Sequence, residues 1–289
     1  MTPLSVSPRW LHEHLDDENL VVVDATNHLP VPTDGPYVPE SGAQTYRAEH
    51  IPGAFFADLL GDFADPEATD PWTAPDHERF AAAAGALGIG DGATVVVYDQ
   101  HDGFWATRFW WHLRYEGFDR VSVLDGGLPA WKAAGYEVTD VVPEPTPRTF
   151  TGTRRPELIR STEEVAANLD DAGTILVNVL DEATYRGEVD TYARRGHIPG
   201  SINLPVFGLK DPETGKLRPV DELRAEFSEA GLLDEDKRVV TYCGGGIAAT
   251  GVAHALALAG RDDVAIYDGS MTAWAGNPDL PLVTGDSPR

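Results

Sequence analysis

The segment His50-Ile51-Pro52-Gly53-Ala54 returns 147 residues later as His197-Ile198-Pro199-Gly200-Ser201. Two further matches follow in the same order. Val95-Val96-Val97-Tyr98-Asp99 aligns with Val239-Val240-Thr241-Tyr242-Cys243, and Asp125-Gly126-Gly127 with Trp131 aligns with Asp268-Gly269-Ser270 with Trp274. Three collinear matches at nearly constant spacing imply an internal duplication, and a duplication decides the architecture before any local propensity is consulted. The 289 residues suffice for two domains, because single cores stop growing near about 250 to 300 residues. Between the copies, Pro143-Glu144-Pro145-Thr146-Pro147 opens a polar stretch in which proline bars helix and ladder donation. The expected division is an N-terminal domain over residues 1–145, a linker over 146–157 and a C-terminal domain over 158–289. Leu29 to Gly42, rich in proline, reads as a loop inside the first copy.

Each copy alternates short apolar runs with helical patterns. In the second, Ile175–Val177, Arg238–Tyr242 and Val264–Tyr267 read as strands, while Val220–Ala230 and Ile247–Ala259 read as helices. Continuous β-branched runs fit strands buried on both faces, and their alternation with helices predicts an α/β fold. Each domain is therefore expected to be a mainly parallel central sheet with helices on both faces.

Acidic residues number 47 against 22 Lys and Arg, a net charge of -25. Such a field argues against nucleic acid or an anionic membrane surface as partner. It also repels small anions, so any site for one must supply local cations or aligned backbone dipoles. No run of about 18 apolar residues occurs, and the N-terminus carries no basic-then-apolar leader, so a cytoplasmic location is expected. A lone cysteine forms no internal disulfide, which suits a reducing compartment. The nine His residues show no paired ligand spacing, and neither a metal nor a cofactor is expected.

The one cysteine stands at the most informative place in the chain. Val239 to Ala249 runs from strand through Cys243-Gly244-Gly245-Gly246 into a helix, and ligands of open α/β sheets bind beyond the carboxyl ends of strands, beside helix N-termini. Amides of Gly244, Gly245, Gly246, Ile247, Ala248 and Ala249 curled around the sulfur, with the dipole of the following helix, favour the thiolate. An inert buried cysteine is the plain alternative. Position speaks against it, and so does the repeat, whose first copy has Asp99 at the matching place. One nucleophile in a duplicated frame fits one active and one supporting domain.

Taken together, the two His-Ile-Pro-Gly turns, the two Asp-Gly segments with their tryptophans and the Cys243 loop resemble the tandem-domain rhodanese and mercaptopyruvate sulfurtransferase family over almost the whole chain. The resemblance implies two rhodanese-like domains and a ping-pong reaction. Cys243 takes sulfane sulfur from a small anionic donor, thiosulfate or 3-mercaptopyruvate, and passes it from a persulfide to cyanide, a thiol or a thioredoxin-like protein. It also implies that Arg186 and Arg108 hold the donor anion, to which a guanidinium is suited by bidentate pairing. A monomer is expected. The loop departs from both branches of the family: it has neither the Arg and Lys that follow the cysteine in the thiosulfate branch nor the serine and threonine of the mercaptopyruvate branch. Asn178 and Leu180 replace a frequent Asp and Arg.

His50, His197, Asp125 and Asp268 read as turn residues, and Trp105, Trp110, Trp111, Trp131 and Trp274 as packing. Two other functions compete. One is a persulfide carrier that delivers sulfur to a protein partner. The other, a cysteine phosphatase or arsenate reductase, wants an Arg six residues after the cysteine, where this chain has Ala249.

Overall fold

A computed structural model of the chain describes residues 2–30 and 38–287. Two compact units divide at Arg155 and Pro156. In the first, strands β1 (Ser5–Val6), β2 (Leu20–Asp24), β3 (Phe55–Phe56), β4 (Thr94–Tyr98) and β5 (Val121–Leu124) form one sheet in the order β1-β5-β4-β2-β3. The second contains β6 (Ile159–Arg160), β7 (Thr174–Asn178), β8 (Ile202–Asn203), β9 (Arg238–Tyr242) and β10 (Ala265–Tyr267), in the order β6-β10-β9-β7-β8. Every pairing in both sheets is parallel. The two orders are the same topology, so the duplication seen in the sequence is a duplication of fold, an α/β sheet flanked by helices.

The valine runs lie where both faces of a sheet are covered. Val95, Val96, Val97 and Tyr98 are fully buried, and Val239, Val240 and Tyr242 nearly so. The tyrosine that ends each central strand fixes its own His-Ile-Pro-Gly turn. Tyr98 Oη accepts from the Ile51 amide at 3.0 Å, and Tyr242 Oη from the Ile198 amide at 3.2 Å. The turn histidines serve the backbone as expected: His50 Nδ1 meets the Tyr46 carbonyl at 2.7 Å and His197 Nδ1 the Tyr185 carbonyl at 2.8 Å. Trp131 and Trp274 are buried, and their indole N–H groups donate to the carbonyls of Glu137 and Pro281, both at 2.8 Å. Each indole thereby buries its large apolar surface with its one donor satisfied.

Two local expectations are refined. Within the stretch read as a loop, Glu40–Ser41 pairs antiparallel with Asn27–His28, and 31–37 lie outside the described residues. The segment expected as a linker is ordered against the first unit through its first ten residues. The Arg148 amide donates to the Gly85 carbonyl at 2.9 Å, the Asp91 amide to the Thr149 carbonyl at 3.3 Å and the Arg155 amide to the Tyr115 carbonyl at 2.7 Å. Phe150, 9% exposed, packs on Phe80 and Phe118. Proline content sets the extended backbone here, while apolar Phe150 and carbonyl-rich helix ends draw it onto the domain surface. No described helix is long and apolar enough to cross a membrane.

Candidate active site

Cys243 is the first residue after β9, and the helix Ile247–Leu258 begins four residues later. Ile247, Ala248 and Ala249 thus form the first helical turn, and the connecting loop is Gly244 to Gly246 alone. Gly246 caps the helix in the left-handed region, at φ 75°, with no side-chain cap. The first amides of a helix have no partner within it. This twelve-residue helix, headed by glycine with no side-chain cap, begins close after the cysteine in sequence, and a helix N-terminus favours negative charge.

What such a frame holds is visible in the first unit. Helix Phe104–Tyr115 matches Ile247–Leu258 in length, and Gly103 caps it at φ 77°. Asp99 stands at the end of β4 where Cys243 stands at the end of β9. Its carboxylate turns back into its own loop: Oδ1 accepts from the amides of His101 and Gly103, both at 2.9 Å, and Oδ2 from the amide of Ala106 at 3.0 Å. Gly103 and Ala106 correspond to Gly246 and Ala249. The first copy of the frame holds a permanent anion on its own side chain.

The cysteine backbone is fixed from the opposite side. Its N–H donates to Ser270 Oγ at 3.1 Å, and that hydroxyl donates to the Tyr267 carbonyl at 2.7 Å. The Cys243 carbonyl accepts from the Met271 amide at 3.0 Å, while the Gly244 carbonyl accepts from the amide and the hydroxyl of Thr272 at 2.9 and 2.8 Å. Ser270 sits at φ 46°, the one non-glycine residue in the left-handed region among those described. Its counterpart Gly127, at φ 55°, makes no such bond because it has no side chain. Sequence reasoning passed over Ser270. Its signal was the replacement of the last glycine of Asp-Gly-Gly by serine in the copy that carries the cysteine.

Glycine at 244 has a different cause from the one at 246. A Cβ there would meet Tyr192 Oη, so a larger residue requires that side chain to shift, and φ is not in the left-handed region. Cys243 itself is 2% exposed.

The two arginines are placed differently. Arg186 ends the helix Glu182–Arg186 in the same unit as Cys243, and its guanidinium pairs with Glu182 at 3.0 Å and with Asp286. Arg108 belongs to the first unit, where it is 1% exposed, donates to the Trp72 carbonyl at 3.0 Å and lies over the Trp111 ring at 4.6 Å. Asn178, at the end of β7, accepts from the Leu180 amide at 2.9 Å and from Asn203 Nδ2 at 3.4 Å. Among the described residues no group of three or more His, Cys, Asp or Glu side chains is placed to hold a metal ion.

The family model for the rhodanese-like domain matches twice, over residues 7–134 and 161–277. The thiosulfate/3-mercaptopyruvate sulfurtransferase 2 of Arabidopsis thaliana is 36% identical over 98% of this chain and 87% of its own length. The 3-mercaptopyruvate sulfurtransferase of Escherichia coli K12 is 34% identical, over 96% of each chain. The crystal structure of SseA from Escherichia coli, described as a 3-mercaptopyruvate sulfotransferase with the rhodanese fold, superposes with a TM-score of 0.80 at 33% identity, covering 93% of this chain and 99% of that one. The chain belongs to the rhodanese-like family, as a tandem of two such domains. It is an enzyme of the sulfurtransferase class.

Proposed function

We propose that the enzyme moves sulfane sulfur from thiosulfate or 3-mercaptopyruvate through a persulfide on Cys243 to cyanide or a thiol, including a thioredoxin-like dithiol. The observation that carries this reading is the Asp99 carboxylate held by three amides of its own loop. The same frame around Cys243 is preorganised for a negative charge on sulfur, before and after transfer.

In the first half-reaction the thiolate attacks the terminal sulfur of the donor. A sulfur–sulfur bond forms to Cys243, the bond from that sulfur to the rest of the donor breaks, and its electron pair leaves on sulfite or on the pyruvate enolate, which a proton then quenches. In the second, the acceptor attacks the outer sulfur and the Cys243 thiolate returns. The amides of Gly244 to Ala249 accompany both states of the sulfur without reorganising. Arg186 suits the donor's anionic group, because its present partners Glu182 and Asp286 are exposed and exposed pairs are worth only about 0–1 kcal/mol. Arg108 is the second arginine proposed for that role. Full-length relatives named for both donors support the pair of substrates.

The test is Cys243→Ser in steady-state assays with each donor and cyanide. Turnover is expected to vanish, and sulfur transfer retained by the variant refutes the reading. A carrier that only delivers sulfur to a protein would load with a donor yet turn over with no small acceptor.

A further inference from the structure

At the carboxyl end of its sheet the first unit sets two histidines against each other. Strand β2 leads into the short strand Asn27–His28, and β4 leads into Asp99, Gln100 and His101. His28 Nδ1 and His101 Nε2 stand 3.0 Å apart, although 73 positions separate the two residues. The rings meet at 64° with centroids 5.0 Å apart, so nitrogen faces nitrogen and the rings do not stack. No spacing in the sequence announces such a pair.

Both rings are held by neighbours. His28 Nε2 meets Thr45 Oγ1, on the helix Ala43–Ala48, at 2.7 Å. A proton on Nε2, donated to that hydroxyl, leaves Nδ1 with its lone pair toward His101. Metal-bound imidazoles are oriented in this way, by an oxygen on the second nitrogen. His101 is fixed through its backbone, whose amide donates to Asp99 Oδ1 at 2.9 Å. The preceding Gln100 is tied by its amide to Thr26 Oγ1 at 3.0 Å, and by Nε2 to Asp24 Oδ2 at 3.0 Å and the Glu49 carbonyl at 2.9 Å. Glu40 lies directly opposite His28 in the antiparallel pair. Opposed residues project from the same face with Cβ atoms about 4.5–5.5 Å apart, which brings a carboxylate near the same space.

Two facing imidazole nitrogens share one proton, and a metal ion can take its place. With metal–nitrogen bonds of about 2.0–2.1 Å, two ligands of one ion lie about 2.9 Å apart at a right angle and about 3.3 Å apart at the tetrahedral angle. The observed 3.0 Å falls in that range. The net charge of -25, which repels small anions, draws cations toward the chain. We propose that His28 and His101 chelate a divalent transition metal ion of the Ni2+, Cu2+ and Zn2+ group, and that the ion fastens the strand Asn27–His28 to the Asp99 loop. Glu40 and water are at hand for its remaining positions. With two imidazoles the site is open and exchanges its ion with solvent, unlike a structural centre closed by four protein ligands. Binding releases the shared proton and involves no change of oxidation state. Both histidines belong to the first unit, and the proposal does not depend on the chemistry of Cys243.

The test is isothermal titration of the full chain with nickel chloride at about pH 7.5, above the ordinary imidazole pKa. Wild type and Cys243→Ser are both expected to bind one ion per chain with the same affinity. His28→Ala and His101→Ala should each weaken binding by about tenfold or more, since outer partners of a metal ligand alone are worth that much. Circular dichroism shows whether each variant is folded, and His101→Gln decides the matter if an alanine variant is not. Saturating Ni2+ should also raise the midpoint of thermal unfolding in wild type and leave it unchanged in the double histidine variant. Absence of saturable Ni2+ binding by wild type, or an affinity within twofold of wild type in either folded histidine variant, overturns the proposal. Binding that is lost in Cys243→Ser and kept in the histidine variants assigns the ion to the thiolate and overturns it as well.

Discussion

Replacing Ser270 separates two contributions that the structure places on one residue. Ser270→Ala removes the acceptor of the Cys243 amide and leaves a buried N–H unsatisfied, at a cost of about 1–3 kcal/mol. Alanine keeps the Cβ, so the unfavourable backbone at φ 46° persists. Ser270→Gly loses the same bond but relaxes the left-handed backbone, which costs an L-residue about 1–2 kcal/mol. The glycine variant also gains freedom in the unfolded chain, worth about 0.4–1 kcal/mol in the opposite sense. The expected order of stability is wild type, then glycine, then alanine, with glycine and alanine separated by about 1 kcal/mol. Urea unfolding followed by tryptophan fluorescence, read on the transition of the second unit through buried Trp274, measures it. Persulfide loading by rapid quench should slow in both variants, because the cysteine backbone loses its anchor. An alanine variant as stable as wild type, or more stable than the glycine variant, refutes the reasoning.

Other consequences follow from particular contacts. Arg186→Gln should raise the KM for the donor more than it lowers kcat, and an unchanged KM in steady-state assays contradicts a role in holding the anion. Arg194→Lys replaces a planar fork over four carbonyls by one ammonium and should destabilise the second unit by about 2 kcal/mol or more in the same urea assay. His112 is fully buried with no hydrogen-bond partner at either nitrogen, and burial, with Arg108 and Arg154 nearby, holds its pKa well below 6.5. The unfolded chain therefore binds the proton first. Stability is complete above about pH 6.5 and falls as pH drops below it, with a slope of up to about 1.4 kcal/mol per pH unit from this group. His112→Leu should flatten the fall in Tm between pH 6.5 and 5, and an unaltered slope contradicts the assignment.

Much of this arrangement is legible in the residues themselves. The duplication, the valine strands, the helix after Cys243 and the strand-to-helix junction that carries this cysteine all follow from local pattern, because buried parallel strands and glycine turns leave strong marks in sequence. Edge strands such as Ser5–Val6 and Phe55–Phe56 are two residues long, too short for any periodicity. The anchors of the site were hidden for another reason. Ser270 meets Cys243 across 27 positions, and Tyr192 lies 52 positions before Gly244. Such contacts are set by how a helix start and a loop lie over the strand ends. Gly244 shows the limit well: in sequence it belongs to a flexible run, while in the fold a larger side chain there would meet Tyr192. That Asp99 fills its own loop is likewise a matter of rotamer and loop length, although the exchange of Cys for Asp at that position marks where to look.

The central claim is that the frame around Cys243 takes up sulfur as the loop of the first unit holds the Asp99 carboxylate. The most direct test is mass spectrometry of the intact protein after exposure to 3-mercaptopyruvate without acceptor, followed by peptide mapping and then by addition of cyanide. One added sulfur atom, located on Cys243, absent from Cys243→Ser and released by cyanide as thiocyanate, is the predicted result. A protein that gains no sulfur, or gains it equally in the serine variant, contradicts the account.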